Sequence, residues 1–445
     1  MSPIMHIGLD DTDSANGGCT TYLAAVLIEK LKKLNVQFID YPRLIRLNPN
    51  VPWKTRGNGA LCLQFIYNPE FEEKIKDMTL NVWEEQSAIE EKGTDPGIVF
   101  FKNTEIPTHL RAFSKKTETT IVTLNEAMAL IKKLGAEAVG FNSCRGIIGS
   151  LAAIGETLDG DHTYELIAYR TRENLGTKRR VDETSIFKMD KLTLPYTFNN
   201  VDSEKGRVII TPRGPDPILF GIRGETPTIV KKAYGLVRPL EPVERWVIFR
   251  SNQGTDAHLK PIKSLSNLVS FGSFIAKGTV SKNPQIIPLR HIIFAIKDDS
   301  AEVSCAAYEP TGELRKIARN LIIGDNVEVY GAVKKATSRN PLTINLEKIN
   351  ILNLRQKILR ENPLCHDCGK RLKSMGKNQG FRCEKCGGKF SDLKKQESIM
   401  PRAIKTGLFV ASTRSQRHLT KPLRRYGQEK IEAPTCPMIC QWHFP

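Results

Sequence analysis

Three carboxylates, Asp10, Asp11 and Asp13, fall within four residues at the end of a short apolar run, and Gly17, Gly18, Thr20 and Thr21 follow at once. Clustered carboxylates suit a hard cation such as Mg²⁺, and a helix opened by glycines offers free N–H groups to phosphate. Hydroxyls at the same place suit metal ligation, phosphate contact or phosphoryl acceptance. The plainer alternative is a turn whose aspartates cap a helix. Three acids in one loop repel, however, unless a cation sits among them. Further loops carry similar chemistry. WKTRGNGA places Lys54 and Arg56 beside a glycine hinge, as a phosphate clamp requires, and FNSCRGIIGS places Arg145 and Gly146 where small residues permit close approach of an anion or a base. Asp202 and Asp216 lie in two later polar loops. Each loop alone suits a solvated turn; their density points to an active site assembled from several of them.

The elements that position these residues read as mixed α and β. Residues 4–9 form a strand, and Leu23, Val26, Leu27, Leu31 and Leu34 repeat at helical spacing after the loop. Strands are expected at 60–67, 97–101, 138–141, 163–169, 207–210 and 245–249, with helices at 70–92, 125–134 and 226–234. This alternation is compatible with ferredoxin-like βαβ units. Farther on, 271–279, 291–297, 301–308, 327–333 and 342–346 read as five short strands, with a helical stretch at 312–323 between the third and fourth. That order matches an OB-fold, a small barrel that often binds oligonucleotides, although a plain β-spacer has the same pattern.

Cys365-x2-Cys368 and Cys383-x2-Cys386, fourteen residues apart, have the four-thiolate spacing of a zinc ribbon. Four ligands close the zinc shell, so this metal folds the module and does not catalyse. Cys19, Cys62, Cys144 and Cys305 are scattered and make no disulfide framework, which points to a reducing, cytoplasmic setting. Cys436, Cys440 and His443 could form a second, incomplete metal site or a loose tail.

With 445 residues the chain has material for about three domains. No apolar run reaches the roughly 18–20 residues of a membrane span, and the N-terminus lacks a signal-peptide layout. The net charge of +18 points to a polyanion, foremost nucleic acid. Residues 354–430 hold 20 Lys and Arg against 6 Asp and Glu, so +14 of that charge lies beside the ribbon. Arg414, Arg417, His418, Lys421, Arg424 and Arg425 form a candidate RNA phosphate-binding cluster there, or a basic tail without set geometry.

The stretches GLDDTDSANGGCTTYLA, YPRLIRLNPNVPWKTRGNGA, GPDPILFGIRG, RSNQGTDAHL and RHLTKPLRRY occur in this order from about residue 4 to about residue 430. In them the chain resembles the archaeal tRNA 2-agmatinylcytidine synthetases. The resemblance implies an α+β multidomain fold. A kinase-like domain would comprise 1–59 with about 155–200, and a ferredoxin-like domain 60–154 with about 201–262. An OB-fold at 268–352, a zinc ribbon at 360–395 and a basic tail at 396–445 would follow.

The same resemblance implies ATP-dependent joining of agmatine to carbon 2 of the wobble cytidine in the AUA-decoding isoleucine tRNA. Phosphoryl activation of the base oxygen makes it expellable. Asp10, Asp11 and Asp13 would hold Mg²⁺ against ATP, with Gly17, Gly18, Lys54, Arg56, Arg145 and Gly146 around the phosphates, and Thr20 would be the autophosphorylated threonine, Thr21 its neighbour. Agmatine is a dication and needs carboxylates, for which Asp202 and Asp216 stand. Two other readings remain open: a non-catalytic RNA-binding protein, and an ATP-dependent RNA kinase or ligase using another amine, such as lysine.

Overall fold

A computed structural model of the chain describes residues 3–338, 340–433 and 437–445. The front half is built on one mixed sheet. Its strands are β1 (Ile4–Asp10), β2 (Gln37–Phe38), β3 (Arg43–Arg46), β4 (Gly59–Ile66), β5 (Gly97–Lys102), β6 (Glu137–Gly140), β7 (Thr163–Arg170) and β8 (Thr197–Phe198). A small hairpin, β9 (Val201–Asp202) with β10 (Arg207–Val208), stands apart, and β11 (Ile218–Gly224) and β12 (Val243–Ser251) complete the sheet. The order is β6-β5-β1-β4-β3-β12-β7-β11-β8.

Both faces of this sheet are covered, which explains the apolar strands. Met5, Ile7 and Leu9 of β1 and Leu61, Leu63 and Phe65 of β4 pack with α1 (Thr20–Lys32) and α2 (Glu72–Gln86). Ala60 and Cys62 face the other way, toward α3 (Thr108–Thr119), α4 (Leu124–Leu134) and α5 (Gly146–Gly155). The second half, β12-β7-β11-β8, carries α6 (Glu183–Thr193) and α7 (Pro227–Leu236). The halves meet where β3 runs parallel to β12, pairing Arg43 with Arg250 and Leu44 with Ser251.

The expected division of 1–59 with 155–200 against 60–154 with 201–262 does not follow this pairing. β1 lies between β4 and β5 in antiparallel register, so 60–140 cannot be separated from 1–59. Residues 163–198 belong instead to the half that contains β11 and β12. Sequence reading also passed over α3, α6, β3 and β11. The helix THLRAFSKKTET is rich in threonine and lysine, and only packing against α5 holds it in place.

The second core is a closed barrel. β13 (Leu259–Pro261) leads into β14 (Ser273–Ile287), β15 (His291–Lys297), β16 (Glu302–Ala307), β17 (Asn326–Lys334) and β18 (Thr343–Asn353). Pairing runs β14-β15-β16-β18-β17 and returns to β14, with α8 (Glu313–Arg319) between β16 and β17. The chain leaves by β19 (Lys357–Glu361), which pairs with β23 (Gln396–Met400). Between them β20 (Lys373–Ser374), β21 (Phe381–Arg382) and β22 (Lys389–Phe390) support the cysteine module. The sulfurs of Cys365, Cys368, Cys383 and Cys386 all lie within 4.8 Å of one another. A tetrahedron of roughly 2.3 Å zinc–sulfur bonds requires sulfurs about 3.8 Å apart. Chelation is expected to melt this module, which has a core of four buried residues, while the barrel and sheet stay folded. Hydrogen exchange confined to 362–404 would report that; loss of structure throughout the chain would contradict it.

The C-terminal segment does not form a tail. β24 (Gly407–Val410) joins the barrel edge at β18, and β25 (His443–Phe444) pairs with β12 of the sheet. From Arg414 to Lys430 the chain is a strap tied down by ion pairs.

Candidate active-site cleft

Asp10 ends β1 on the face that carries α5. α5 can approach because its contacts are made by glycines. A Cβ on Gly149 would overlap the Asp10 carboxylate, one on Gly97 would strike the backbone of Ile147, and one on Gly8 would strike that of Ser150. The backbone then turns sharply at Asp11, whose φ of 55° lies in the left-handed region that Asp tolerates. The chain enters α1 at Cys19 with no side-chain cap and no acid in the first turn. Cys19, Thr20 and Thr21 border a cleft of about 450 Å³.

This cleft brings together residues far apart in the chain: Asp10, Asp11, Asp13, Thr20, Lys54, Arg56, Arg145 and Asp216, all expected, with Arg46, Glu165 and Arg223, which sequence reading missed. His418 of the strap also lines it. Arg56 donates from Nε (2.8 Å) and Nη2 (2.5 Å) to Asp13 and from Nη2 to the Gly18 carbonyl (2.8 Å). Its Nη1 reaches Asp216 at 3.5 Å, so it bridges the two halves of the sheet. Arg145 pairs with Asp95 and lies over the Trp53 ring at 5.6 Å. Thr12 donates to Thr20 Oγ1 at 3.0 Å, which leaves the Thr20 proton free, whereas Thr21 Oγ1 is 3.0 Å from the Cys19 thiol.

The three aspartates are not equivalent. Asp13 is committed to Arg56. Asp11 accepts from the Asp95 N–H (3.1 Å) and from Thr55 (3.4 Å), and burial pushes its pKa up to about 6. Burial, reinforced by the Asp11 charge, raises Asp10 well above the carboxylate range. Among the described residues the four cysteines are the group whose ligand atoms converge within 4.8 Å; the aspartate trio does not contract that far.

Several expected ligands are placed elsewhere. The Gly146 N–H is committed to the Asp95 carbonyl (2.8 Å), and its Cα faces Gly97 and the Asp10 carbonyl, so its smallness serves helix–sheet contact and leaves no donor for phosphate. Gly17 and Gly18 shape the loop through positive φ but do not line the cleft. Asp202 is 1% exposed and sits under Arg414 at 2.9 Å, outside the cleft lining, so it is withdrawn as an agmatine carboxylate. Asp216 does line the cleft, and Arg56 and Arg179 hold it there (3.5 and 3.2 Å).

The expected RNA-binding cluster is largely internal. Arg414 meets Asp202 and Glu204, Arg417 donates to Asn50 (2.5 Å), and Lys421 meets Glu429 (3.0 Å). Arg424 pairs with Asp190 at 3.0 Å and stays one-third exposed. Arg425 is fully buried, gripped by Glu225, Asp161 and the Gly254 carbonyl. These cations hold the strap on the sheet because its acidic partners, scattered over 161–225, are brought under it by folding. Of the suggested second metal site, Cys436 lies outside the described residues, Cys440 is exposed, and the His443 ring is engaged by Lys32 (2.7 Å) and the Pro445 carbonyl (2.5 Å).

His418 enters the cleft from the strap. Arg223 Nη2 lies 2.9 Å from its Nδ1, with the Gln253 amide oxygen alongside at 3.1 Å. A guanidinium can only donate and an amide oxygen only accept, so the shorter contact makes Nδ1 an acceptor from Arg223 with the ring proton on Nε2, and the Gln253 oxygen then makes no hydrogen bond to the ring. The Arg46 charge, with burial, Arg223 and Lys54, keeps this ring neutral by holding its pKa well below the usual value. Arg223 is in turn held by Glu165 (3.0 Å), and Glu165 by Gln253 (2.5 Å). Gln253 belongs to the RSNQGTDAHL stretch and His418 to RHLTKPLRRY, so the two motifs meet at this network.

Comparison with known proteins agrees in extent. Three family models match: the TiaS TCKD domain at 6–143, the TiaS FLD domain at 144–258 and the TiaS C-terminal zinc ribbon domain at 362–404. The isoleucine-tRNA 2-agmatinylcytidine synthetase TiaS of Methanosarcina mazei is 41% identical over 429 residues, covering 95% of this chain and 97% of that protein. That of Thermococcus sibiricus is 42% identical over 419 residues, covering 94% and 95%. A crystal structure of TiaS in complex with its isoleucine tRNA and ATP superposes with a TM-score of 0.88 at 39% identity, covering 95% of this chain and 97% of that one. A complex of TiaS with the same tRNA, AMPCPP and agmatine does so with a TM-score of 0.85 at 37% identity and the same coverage. The chain belongs to the TiaS family.

Proposed function

We propose that this protein joins agmatine to carbon 2 of the wobble cytidine of the AUA-decoding isoleucine tRNA at the expense of ATP. The observation that carries the reading is the convergence in one cleft of Asp10, Asp11, the uncapped N-terminus of α1 with Thr20, and the cations Lys54, Arg56 and Arg145. A non-catalytic RNA binder has no use for buried acids that repel one another. The barrel, closed in the strand order of an OB-fold, and the ribbon would grip the tRNA while a loop base leaves its stack for the cleft.

In this reading ATP phosphates lie at the α1 N-terminus, where free N–H groups and the helix dipole favour anions. The donor set fits Mg²⁺: it is hard oxygen, and Mg²⁺ is commonly held by one or two carboxylates, with phosphates and water supplying the rest. Asp10 and Asp11 would hold it, and it would neutralise phosphate charge. Asp13 instead fixes Arg56, whose guanidinium faces the same phosphates. Thr20 is the phosphoryl acceptor, with its proton left free by the bond from Thr12. Asp216 is the carboxylate offered to agmatine.

The test is mass spectrometry of the AUA-decoding isoleucine tRNA incubated with protein, ATP, Mg²⁺ and agmatine, each omitted in turn. A gain of agmatine minus water on the wobble cytidine, dependent on ATP, is expected; no gain would overturn the reading. Thr20→Val is expected to abolish protein phosphorylation and Thr21→Val to keep it, read by intact mass after incubation with ATP. Phosphate retained in Thr20→Val would reject that role.

Mg²⁺ binding should depend on pH. Asp11 takes up a proton as pH falls through about 6, and a protonated carboxyl is a poor ligand. Mg²⁺ affinity is therefore expected to fall about tenfold per pH unit below 6, measured by calorimetry with the ATP analogue present. A flat profile between pH 5 and 7.5 would exclude Asp11 as a ligand.

A further inference from the structure

The charges of the cleft are unevenly paired. Arg46 lines it, and among the described residues Arg46 makes no ion pair and its buried Nε has no hydrogen-bond partner. Its neighbours are Arg223, Lys54 and the neutral His418. The acid beside them in the cleft wall is Glu165, which is held by Arg223 and Gln253. Arg223 has Glu165 at 3.0 Å, whereas among the described residues neither Arg46 nor Lys54 makes an ion pair, and Asp13, which also acts on Arg46, is taken by Arg56. An enclosed guanidinium without a counter-ion is costly, and burial pulls the Arg46 pKa down to about 10, still charged at neutral pH. The arrangement lacks an anion.

The geometry also indicates where that anion sits. A Cβ placed on Gly57 would come 2.6 Å from Arg46 Nη1 and 3.0 Å from His418 Nε2, and one on Gly59 would come 2.7 Å from the same Nη1. Arg46 Nη1 and His418 Nε2 therefore pack against the bare Cα of Gly57 and lie less than about 6 Å apart, a span that one anion can bridge from the cleft side. With its proton on Nε2, His418 is a neutral donor there. Arg46 supplies charge and a forked pair of N–H groups, the geometry that suits phosphate oxygens. A phosphate dianion would balance the two unpaired charges and satisfy both donors.

We infer that Arg46 and His418, backed by Arg223 and Lys54 beside the Gly57–Gly59 hinge, form a phosphate-binding subsite in the cleft. This rests on the reading of the cleft as the site for ATP and tRNA, each of which brings phosphate. The strap follows from it: the ion pairs of Arg414, Arg424 and Arg425 hold the segment that delivers His418 to this subsite.

The experiment measures dissociation constants of the full-length, zinc-loaded protein and of Arg46→Gln and Arg46→Lys. The probes are ATP, adenosine, and an anticodon stem-loop RNA with a normal or a neutral methylphosphonate linkage beside the wobble cytidine. If the subsite holds a nucleotide phosphate, Arg46→Gln weakens ATP about tenfold or more, Arg46→Lys weakens it less, and adenosine and RNA are unchanged. If it holds the RNA strand, Arg46→Gln weakens the normal RNA by that factor, the methylphosphonate RNA shows the same loss with the unaltered protein, and combining the two adds nothing. Constants within twofold of the unaltered protein for every probe in both variants would overturn the proposal. Melting temperatures at or above that of the unaltered protein are expected, since no native partner of Arg46 is lost. These readouts need no turnover. An unaltered protein that makes no agmatine product, with Arg46→Gln still losing phosphate binding, would sink the functional reading and keep the subsite.

Discussion

Asp10→Asn and Asp11→Asn are each expected to lower ATP-dependent agmatine incorporation by about 10³-fold or more, with tRNA affinity changed less than about threefold. The effect is large because, among the described residues, neither carboxylate is taken by an ion pair. Asp13 is already neutralised by Arg56 and Asp216 by Arg56 and Arg179, whereas Asp10 and Asp11 face each other in an enclosed loop. Stability should move the opposite way. The Asp11 pKa is raised in the folded chain, so the folded state binds more protons than the unfolded one between about pH 4 and 6, and stability falls as pH rises through that window; Asp10, also raised, acts in the same direction. At pH 7 both acids cost stability, and the neutral amides should raise the melting temperature. An enzyme made more stable and nearly inactive is the expected outcome. Single-turnover incorporation within tenfold of the unaltered protein would exclude these acids from the chemistry.

Arg425→Ala is expected to destabilise the sheet by about 3–5 kcal/mol. The guanidinium donates from Nε to Glu225 (2.6 Å), from Nη2 to Asp161 (2.7 Å) and from Nη1 to the Gly254 carbonyl (2.6 Å), and none of its surface is exposed. Its removal leaves two carboxylates with only Lys430 and Lys421 nearby. Arg425→Lys should rescue little, because a single ammonium cannot span both acids and the carbonyl. The strap would lift, His418 would leave the cleft, and incorporation would fall along with the melting temperature. A melting temperature within about 2 °C of the unaltered protein would show that the strap is not anchored by this residue.

The strap also marks the limit of sequence reading. Arg414, Arg417, Lys421, Arg424 and Arg425 look like an RNA-binding tail because Glu429 is the one acid among or just after them in the chain up to Lys430. Their partners are Asp202, Glu347, Asp161, Asp190 and Glu225, and which carboxylate meets which cation depends on strands that pair across hundreds of residues. The same reason hid Arg46 and Glu165. Arg46 ends the strand RLIR and Glu165 lies within TYELIAYR, and only the neighbouring strands decide which of their polar residues face a cleft. Gly146 is the converse case. Small residues in FNSCRGIIGS suit ligand approach and helix–sheet contact equally, and the register of α5 on β1 and β5 decided for the latter.

Features with local causes were legible. Two CxxC pairs fourteen residues apart bring four sulfurs together whatever surrounds them. Five strands of alternating residues and a helix between the third and fourth place the barrel at 273–353, because period and turn chemistry act over a few residues. The acid-glycine-threonine loop, ending an apolar strand and opening a helix, marks the end of the sheet where the cleft lies. By itself the sequence therefore determined the metal module, the barrel, the acid loop and the family. Tertiary structure alone decided that Asp13 is neutralised while Asp10 and Asp11 are not, that Asp216 lines the cleft and Asp202 does not, and that His418 reaches the cleft. Charge is compensated by whatever folding brings within a few ångströms, and that distance is not written along the chain.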